Sequence, residues 1–273
     1  MHKDNPYLPS LATIQGIEDL TSDVRLLRVT LPAGFSYLPG QCALLSILGV
    51  GESTISITSP PTQPEYMEFA IKRVGKVTEA IHEAEVGEQI GVRGPMGNHF
   101  PVEMMRGKNL LFVGGGIGLA PLRSMIKYAF DRRSEFGHID VIYGARSPQD
   151  ICFFKELTES WPQQPDTAVY LTVDRGDEAW SGHTGFVPAF LEEIAPSPQD
   201  CLAVTCGPPI MIKFVLQSLE KLGFSRDMIY TTLEMKMKCG LGKCGRCNIG
   251  DKYVCVDGPV FSFAELGELP NEF

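Results

Sequence analysis

The chain has 273 residues, 44% hydrophobic and 21% charged, the balance of a folded globular protein with room for more than one domain. A formal net charge of −9 argues against a nucleic-acid or anionic-membrane surface, since either needs clustered Lys and Arg. No apolar run reaches the roughly 18–20 residues that cross a bilayer. The opening Met1-His2-Lys3-Asp4-Asn5-Pro6 lacks the basic-then-apolar pattern of a secretory signal, so a cytoplasmic protein without a membrane span is expected.

Residues up to about 103 read as β-rich. Apolar runs at 24–31, 43–48, 54–58 and 68–74 are separated by Pro and Gly, the spacing of a small antiparallel barrel or sandwich. The pattern changes near Arg106-Gly107-Lys108. Beyond it, runs at 110–113, 139–143, 169–173 and 202–205 recur with helical patterns between some of them. Leu122, Met125, Ile126, Ala129 and Phe130 share one helix face. Met211, Phe214, Val215, Leu219 and Leu222 share another, with Gly223 as its stop. Strand–helix alternation of this kind predicts a doubly wound parallel sheet. The expected domains are 1–105, 106–232 and 233–273. The last of these is dense in Cys, Gly and Lys and too short for an apolar core of its own.

Of eight cysteines, Cys42, Cys152, Cys201 and Cys206 are scattered, whereas the other four fall in one short stretch. In a reducing compartment such a cluster reads first as a metal site. Cys239-x4-Cys244-x2-Cys247-x7-Cys255 opens with the x4, x2 spacing of plant-type two-iron, two-sulfide (2Fe–2S) sites. Gly240, Gly242 and Gly245 let backbone N–H groups approach the sulfurs, and Lys238, Lys243 and Arg246 would favour the more negative reduced state. A structural zinc site is the alternative, but zinc prefers paired C-x2-C units and fits an x4 gap poorly. The five histidines are dispersed and read as surface or packing residues.

The run at 110–113 leads into Gly114-Gly115-Gly116-Ile117-Gly118-Leu119-Ala120-Pro121 and then a helix. A strand–glycine loop–helix unit puts bare amides at a helix N-terminus, where a pyrophosphate is stabilised. The spacing is not G-x-G-x-x-G, so a glycine turn that merely packs helix on strand is the competing reading. This loop resembles the nicotinamide-nucleotide loop of the ferredoxin–NADP reductase family. So do Tyr143-Gly144-Ala145-Arg146 after the next strand and Cys206-Gly207-Pro208 after the fourth. The resemblance implies that Cys206 lies beside the nicotinamide near a flavin. Without it, Cys206 reads as a small buried hydrophobe.

The N-terminal part resembles the FAD barrel of the same family. Pro39-Gly40-Gln41, Ser53-Thr54-Ile55-Ser56 and Gly75-Lys76-Val77-Thr78 stand in its order, with Ile71 among the implied flavin contacts. The third matches the loop that binds the FAD pyrophosphate, and Gly94-Pro95-Met96-Gly97 resembles the turn closing the barrel. The family's Arg-x-Tyr-Ser motif is altered here, with Ser53 and Ile55 at the Arg and Tyr positions. Lys72 or Arg73 are the candidates to replace the lost charge.

With the cysteine cluster included, the resemblance is to electron-transfer subunits: those of dihydroorotate dehydrogenase, of sulfhydrogenase-type hydrogenases (gamma) and of anaerobic sulfite reductase (B). Asn5-Pro6-Tyr7 and Gly49-Val50-Gly51-Glu52 lean toward the hydrogenase type. The implied cofactors are FAD, a 2Fe–2S cluster and NAD(H), with terminal chemistry on a partner protein. A flavin is needed because hydride carries two electrons and the cluster accepts one. Asp174, after the third strand, favours NADH through the ribose hydroxyl, although Arg175 or Arg146 could pair with a 2′-phosphate. A stand-alone reductase and a redox sensor without turnover are the other readings.

Overall fold

A computed structural model describes residues 5–269; residues 1–4, which carry most of the N-terminal reading, and 270–273 lie outside the described residues. Six strands come first: β1 (Ser10–Asp19), β2 (Val24–Thr30), β3 (Cys42–Ile47), β4 (Gly51–Ser56), β5 (Tyr66–Lys72) and β6 (Gln89–Met96). They form one antiparallel sheet in the order β4-β3-β6-β1-β2-β5, and its edge strands β4 and β5 come together, so it curls toward a barrel. Period-two alternation decides what fills it. Ala43 and Leu45 of β3 and Met67, Phe69 and Ile71 of β5 point inward, whereas Cys42 and Leu44 join Met96 in a separate cluster on the other face. Helix α1 (Lys76–Glu83) follows β5, and the short α2 (Val102–Met105) follows β6.

The next unit alternates as expected: β7 (Asn109–Gly115), α3 (Leu119–Asp131), β8 (Ile139–Ala145), β9 (Thr167–Val173), β10 (His183–Thr184), α4 (Val187–Ile194), β11 (Cys201–Cys206), α5 (Pro209–Lys221) and β12 (Ile229–Thr232). Its strands run parallel in the order β10-β9-β8-β7-β11-β12. Chain order therefore reverses between β7 and β11, the switch point at which doubly wound sheets open a crevice.

The C-terminal segment adds a two-stranded ribbon, β13 (Asn248–Ile249) with β14 (Lys252–Tyr253), then β15 (Val260–Ser262) and α6 (Phe263–Leu266). Contrary to expectation it has a small apolar core, in which Leu233, Ile249, Val254 and Phe261 pack around Cys247 and Cys255. Both larger units still hold it in place. β15 pairs antiparallel with β12, and the Asn98 side chain at the barrel's end donates to the carbonyls of Asp257 and Val260 at 2.8 and 2.7 Å.

Barrel and parallel sheet are joined through a buried charge. Arg123 of α3 is 3% exposed and donates to Glu68 of β5 at 2.8 Å and, two-pronged, to Glu156 at 2.6 Å. Glu68, 2% exposed, also accepts from Arg28 at 2.7 Å. Burial would raise the Glu68 carboxyl, but the two guanidiniums outweigh it and hold the group below its ordinary range. Removing one partner of such a network strands a buried charge. Arg123→Ala is expected to lower the unfolding free energy by about 3–5 kcal/mol, read by urea denaturation. A change no larger than that of an exposed ion pair would contradict a buried junction.

Candidate functional site

A cleft of about 990 Å³ opens at the switch point between β7 and β11. Its floor is the glycine loop. Gly114 is the Cα partner of both Tyr143 and Cys206, and Gly115 is that of Gly144, which aligns the carboxyl ends of β7, β8 and β11. The side chain of Tyr143 is fully buried, and its hydroxyl donates to the Gly116 carbonyl at 3.1 Å, pinning the loop from below. A Cβ on Gly118 would lie 2.5 Å from the Cys206 carbonyl oxygen, so only glycine lets the two loops meet. Gly115, Gly116, Ile117 and Gly118 line the cleft, while Pro121 is buried in the first turn of α3. A second helix, α5, begins just after Cys206-Gly207-Pro208 on the same rim, so two helix N-termini border the opening.

The cleft also brings in Gly144, Arg146 and Asp174. Arg146 is exposed and paired with Asp150 at 2.8 Å. Asp174 has its carboxyl raised by burial, with Arg175 and Arg146 pulling the other way. Sequence reasoning missed several neighbours. Asp23 enters from the barrel side, paired at 3.4 Å with Lys72, itself a candidate from the sequence, and exposed Phe186 and Ile210 join Phe214, read above only as part of a helix face, in an apolar wall. Thr232 donates to the Cys206 sulfur at 2.9 Å, and Glu234 stands close by. Burial pushes the Cys206 thiol up to about 12, with the Thr232 bond only partly opposing it, so it is neutral at physiological pH.

The implied flavin contacts lie on the barrel. Gly75 precedes α1, whose first-turn amides at Lys76, Val77 and Thr78 have no acceptor within the helix. The Thr78 hydroxyl accepts from the Val74 and Gly75 amides at 2.9 and 3.0 Å, while the amides of Lys76, Val77 and Thr78 have the arrangement of a helix N-terminus that can receive an anion. Gly51, at the start of β4, packs against Val77, which places Ser53, Thr54, Ile55 and Ser56 beside that helix end. The Thr54 hydroxyl is buried without a protein partner, as a strand that receives a polar ligand can have. Ile55 packs partly into the barrel core, and Ile71 is fully inside it. Pro39 and Gln41 are engaged with main chain. Pro39 accepts from Phe100, and the Gln41 amide bridges Leu38 and Gly97. Lys72 faces the cleft, whereas Arg73 borders a separate polar hollow with Arg25 and His82.

In the cysteine loop, Cys239 and Cys244 lie within interaction range of each other, and so do Cys247 and Cys255. Among the described residues no three such side chains converge on a single-ion site. Cys239 is also within range of Cys255, so the four thiols are linked into one group, the number of thiolates that a two-iron cluster takes. Backbone amides already point at sulfur: Leu241 and Lys243 donate to Cys239 at 3.4 Å, and Gly242 donates to Cys255 at 3.2 Å. Gly242 has φ +68°, which a side chain would strain. Burial works to raise the Cys239 thiol, but the amides of Leu241, Cys244 and Lys243 outweigh it and bring it down to about 6. The donor set fits a cluster of the expected kind.

A curled antiparallel barrel joined to a doubly wound sheet, with a glycine loop at the switch point, defines an oxidoreductase of the ferredoxin–NADP reductase-like fold. Family models agree along the chain: the oxidoreductase FAD-binding domain at residues 11–100, the oxidoreductase NAD-binding domain at 112–217, and the iron–sulfur cluster binding domain of dihydroorotate dehydrogenase B at 234–267. Sulfhydrogenase 1 subunit gamma of Pyrococcus furiosus is 37% identical, over 99% of this chain and 96% of its own. A probable dihydroorotate dehydrogenase B (NAD(+)) electron transfer subunit of Thermococcus kodakarensis is 33% identical, over 94% and 97%. A solved NADH-dependent reduced ferredoxin–NADP oxidoreductase shares the fold, with TM-score 0.79 and 24% identity over 96% of this chain and 90% of that one. The chain belongs to the ferredoxin–NADP reductase superfamily, in the group of electron-transfer subunits with a C-terminal iron–sulfur domain. Among the described residues no helix is long and apolar enough to cross a membrane.

Two predictions follow from these burials and close approaches. Gly118→Val forces the loops apart and is expected to raise KM for nicotinamide nucleotide about tenfold or more; an unchanged KM would show that the Gly118–Cys206 contact does not shape the cleft. The second concerns alkaline pH. Burial pushes the thiols of both Cys201 and Cys206 up to about 12 from an ordinary 9.0. The unfolded chain releases those protons near pH 9 while the folded chain keeps them, so stability is fully present below pH 9 and declines toward pH 12. Denaturation midpoints across that range should fall, and Cys201→Ala should flatten part of the slope.

Proposed function

We propose that this chain is the electron-transfer subunit of a larger oxidoreductase, taking hydride from a nicotinamide nucleotide and delivering single electrons to a partner that holds the terminal catalytic site. The observation that carries this is the adjacency of a nucleotide cleft at a switch point, a barrel with bare helix amides and a four-thiol loop. Residues 1–105, 106–232 and 233–273 are the corresponding units. Gly114, Gly115, Gly116, Ile117, Gly118, Gly207 and Pro208 bind the dinucleotide, and Cys206, as a neutral thiol, borders the nicotinamide. Phe186, Ile210 and Phe214 give the dinucleotide an apolar wall to pack against. The amides of Lys76, Val77 and Thr78, with Gly75 as the turn before them, hold the flavin pyrophosphate, beside Ser53, Thr54, Ile55 and Ser56. Cys239, Cys244, Cys247 and Cys255 hold the cluster. A bound flavin supplies the exchange between hydride and one-electron chemistry.

The gamma-subunit relative matches over nearly the full length of both chains, which favours a hydrogenase-type partner. A dihydroorotate dehydrogenase or sulfite reductase partner is the second reading, the first of the two supported by the relative at 33% identity. Work in the cytoplasm belongs to this reading. Purified anaerobically, the protein should contain about two irons, two sulfides and one FAD per chain. Zinc without sulfide would refute the assignment. The carboxylate of Asp174 selects NADH, so Asp174→Ser should raise the NADPH-to-NADH ratio of kcat/KM about tenfold, the scale of one charged hydrogen bond. An unaltered ratio would remove Asp174 from specificity.

A further inference from the structure

Arg93 of β6 has a side chain only 5% exposed. A buried guanidinium needs its charge countered and its N–H donors accepted. Nε and Nη2 grip Glu52 two-pronged at 3.2 and 2.9 Å. Glu52 lies on β4 immediately before Ser53. On its other side Nη1 donates to the Cys239 carbonyl at 2.7 Å, with longer contacts of 3.4 Å from Nη1 to the Pro6 carbonyl and from Nη2 to that of Lys238. The strands between are in register: Leu44 of β3 is the Cα partner of Thr54 on β4 and of Arg93 on β6. Gly240 lies flat on this face, where an added Cβ would fall 2.1 Å from the Met96 sulfur.

We infer that Arg93 is a positioning residue that ties the strand carrying Ser53–Ser56 to the main chain of the first cysteine. It thereby fixes the separation of the flavin and cluster sites and tunes the potential of the centre the cysteines hold. The inference rests on the flavin and cluster reading above. Its physics is direct. Electron exchange falls steeply with separation, and hydrogen bonds and charge beside a ligand set a cluster's potential. Arg93 pulls on the carbonyl of a ligand residue, so its charge favours the reduced centre, while Glu52 both offsets that charge and holds the fork in place. Lysine cannot replace it, because a single ammonium lacks the fixed fork that spans carboxylate and carbonyl together.

The test uses the anaerobic holoprotein and its Arg93→Gln, Arg93→Lys and Glu52→Gln variants. Three quantities are read: the midpoint potential of the cluster by EPR-monitored titration, amide exchange in 238–243, and the ratio of cluster to flavin bleaching rates after mixing with NADH. Arg93→Gln should lower the potential, speed exchange and reduce the rate ratio about tenfold or more. Arg93→Lys should retain part of the potential but not the ratio. If Arg93→Gln loses its cluster, Glu52→Gln decides, since Arg93 then keeps the Cys239 carbonyl but loses its tether to β4. A ratio and exchange pattern indistinguishable from the parent in the cluster-loaded variants would overturn the role. A parent protein without cluster or flavin would overturn both the role and the reading beneath it. A purely structural Arg93 would change stability and leave potential and ratio unmoved.

Discussion

The guanidinium of Arg123 is the constraint on which the arrangement depends. It belongs to α3, the helix that begins at the glycine loop, yet its partners are Glu68 on a barrel strand and Glu156 beyond β8. A charge so buried is tolerable only with both carboxylates in reach. The nucleotide cleft therefore cannot turn away from the barrel without exposing or stranding three ionised groups. Ser124, the next residue, donates to the Ser59 carbonyl at 2.7 Å and reinforces the same junction. The cleft's mixed lining, with Asp23 and Lys72 from the barrel beside Gly116 and Cys206 from the sheet, is a consequence of that fixed junction.

The third unit is attached by the same kind of logic at a smaller scale. A segment with a small core of its own is held by a strand pairing to one neighbour and by side chains of the other. Asn98 just after β6 and Arg93 within it donate to carbonyls of that segment. Backbone amides converge on the sulfurs from within the loop, and carbonyls are gripped from outside it. Four thiols in a partly exposed loop would repel one another once ionised. The amides and the nearby cations relieve that repulsion, which is the electrostatic preparation a polynegative centre needs.

Legibility in the sequence followed local signal. β2, β3, β5, β7, β8, β9 and β11 are runs of β-branched and apolar residues, and their existence could be read directly. β1 and β6 were missed because Gly16, Gly91, Gly94 and Pro95 interrupt their alternation. α1 and α4 are eight residues each and carry too few periods to stand out. The glycine loop, the Cys-Gly-Pro turn and the cysteine spacing were legible because each is a contiguous pattern with a mechanical reason. Arg123, Arg93 and Thr232 were not, nor was the bond by which Tyr143, itself part of a recognised element, pins the loop. Their roles lie in partners tens of residues away, and a buried arginine looks in sequence like a solvated one. Gln41 shows the converse case, a residue flagged by a family pattern whose amide is used here on the main chain.

The central claim is that one chain converts a two-electron donor into one-electron output through two centres. Anaerobic titration with NADH, followed by visible and EPR spectroscopy, tests it most directly. Two electrons for a flavin and one for the cluster predict an end point near about 1.5 NADH per chain, with both sets of bands bleached and the signal of a reduced two-iron centre. An end point near one, with the flavin reduced and the cluster bands untouched in the presence of excess NADH, would contradict it.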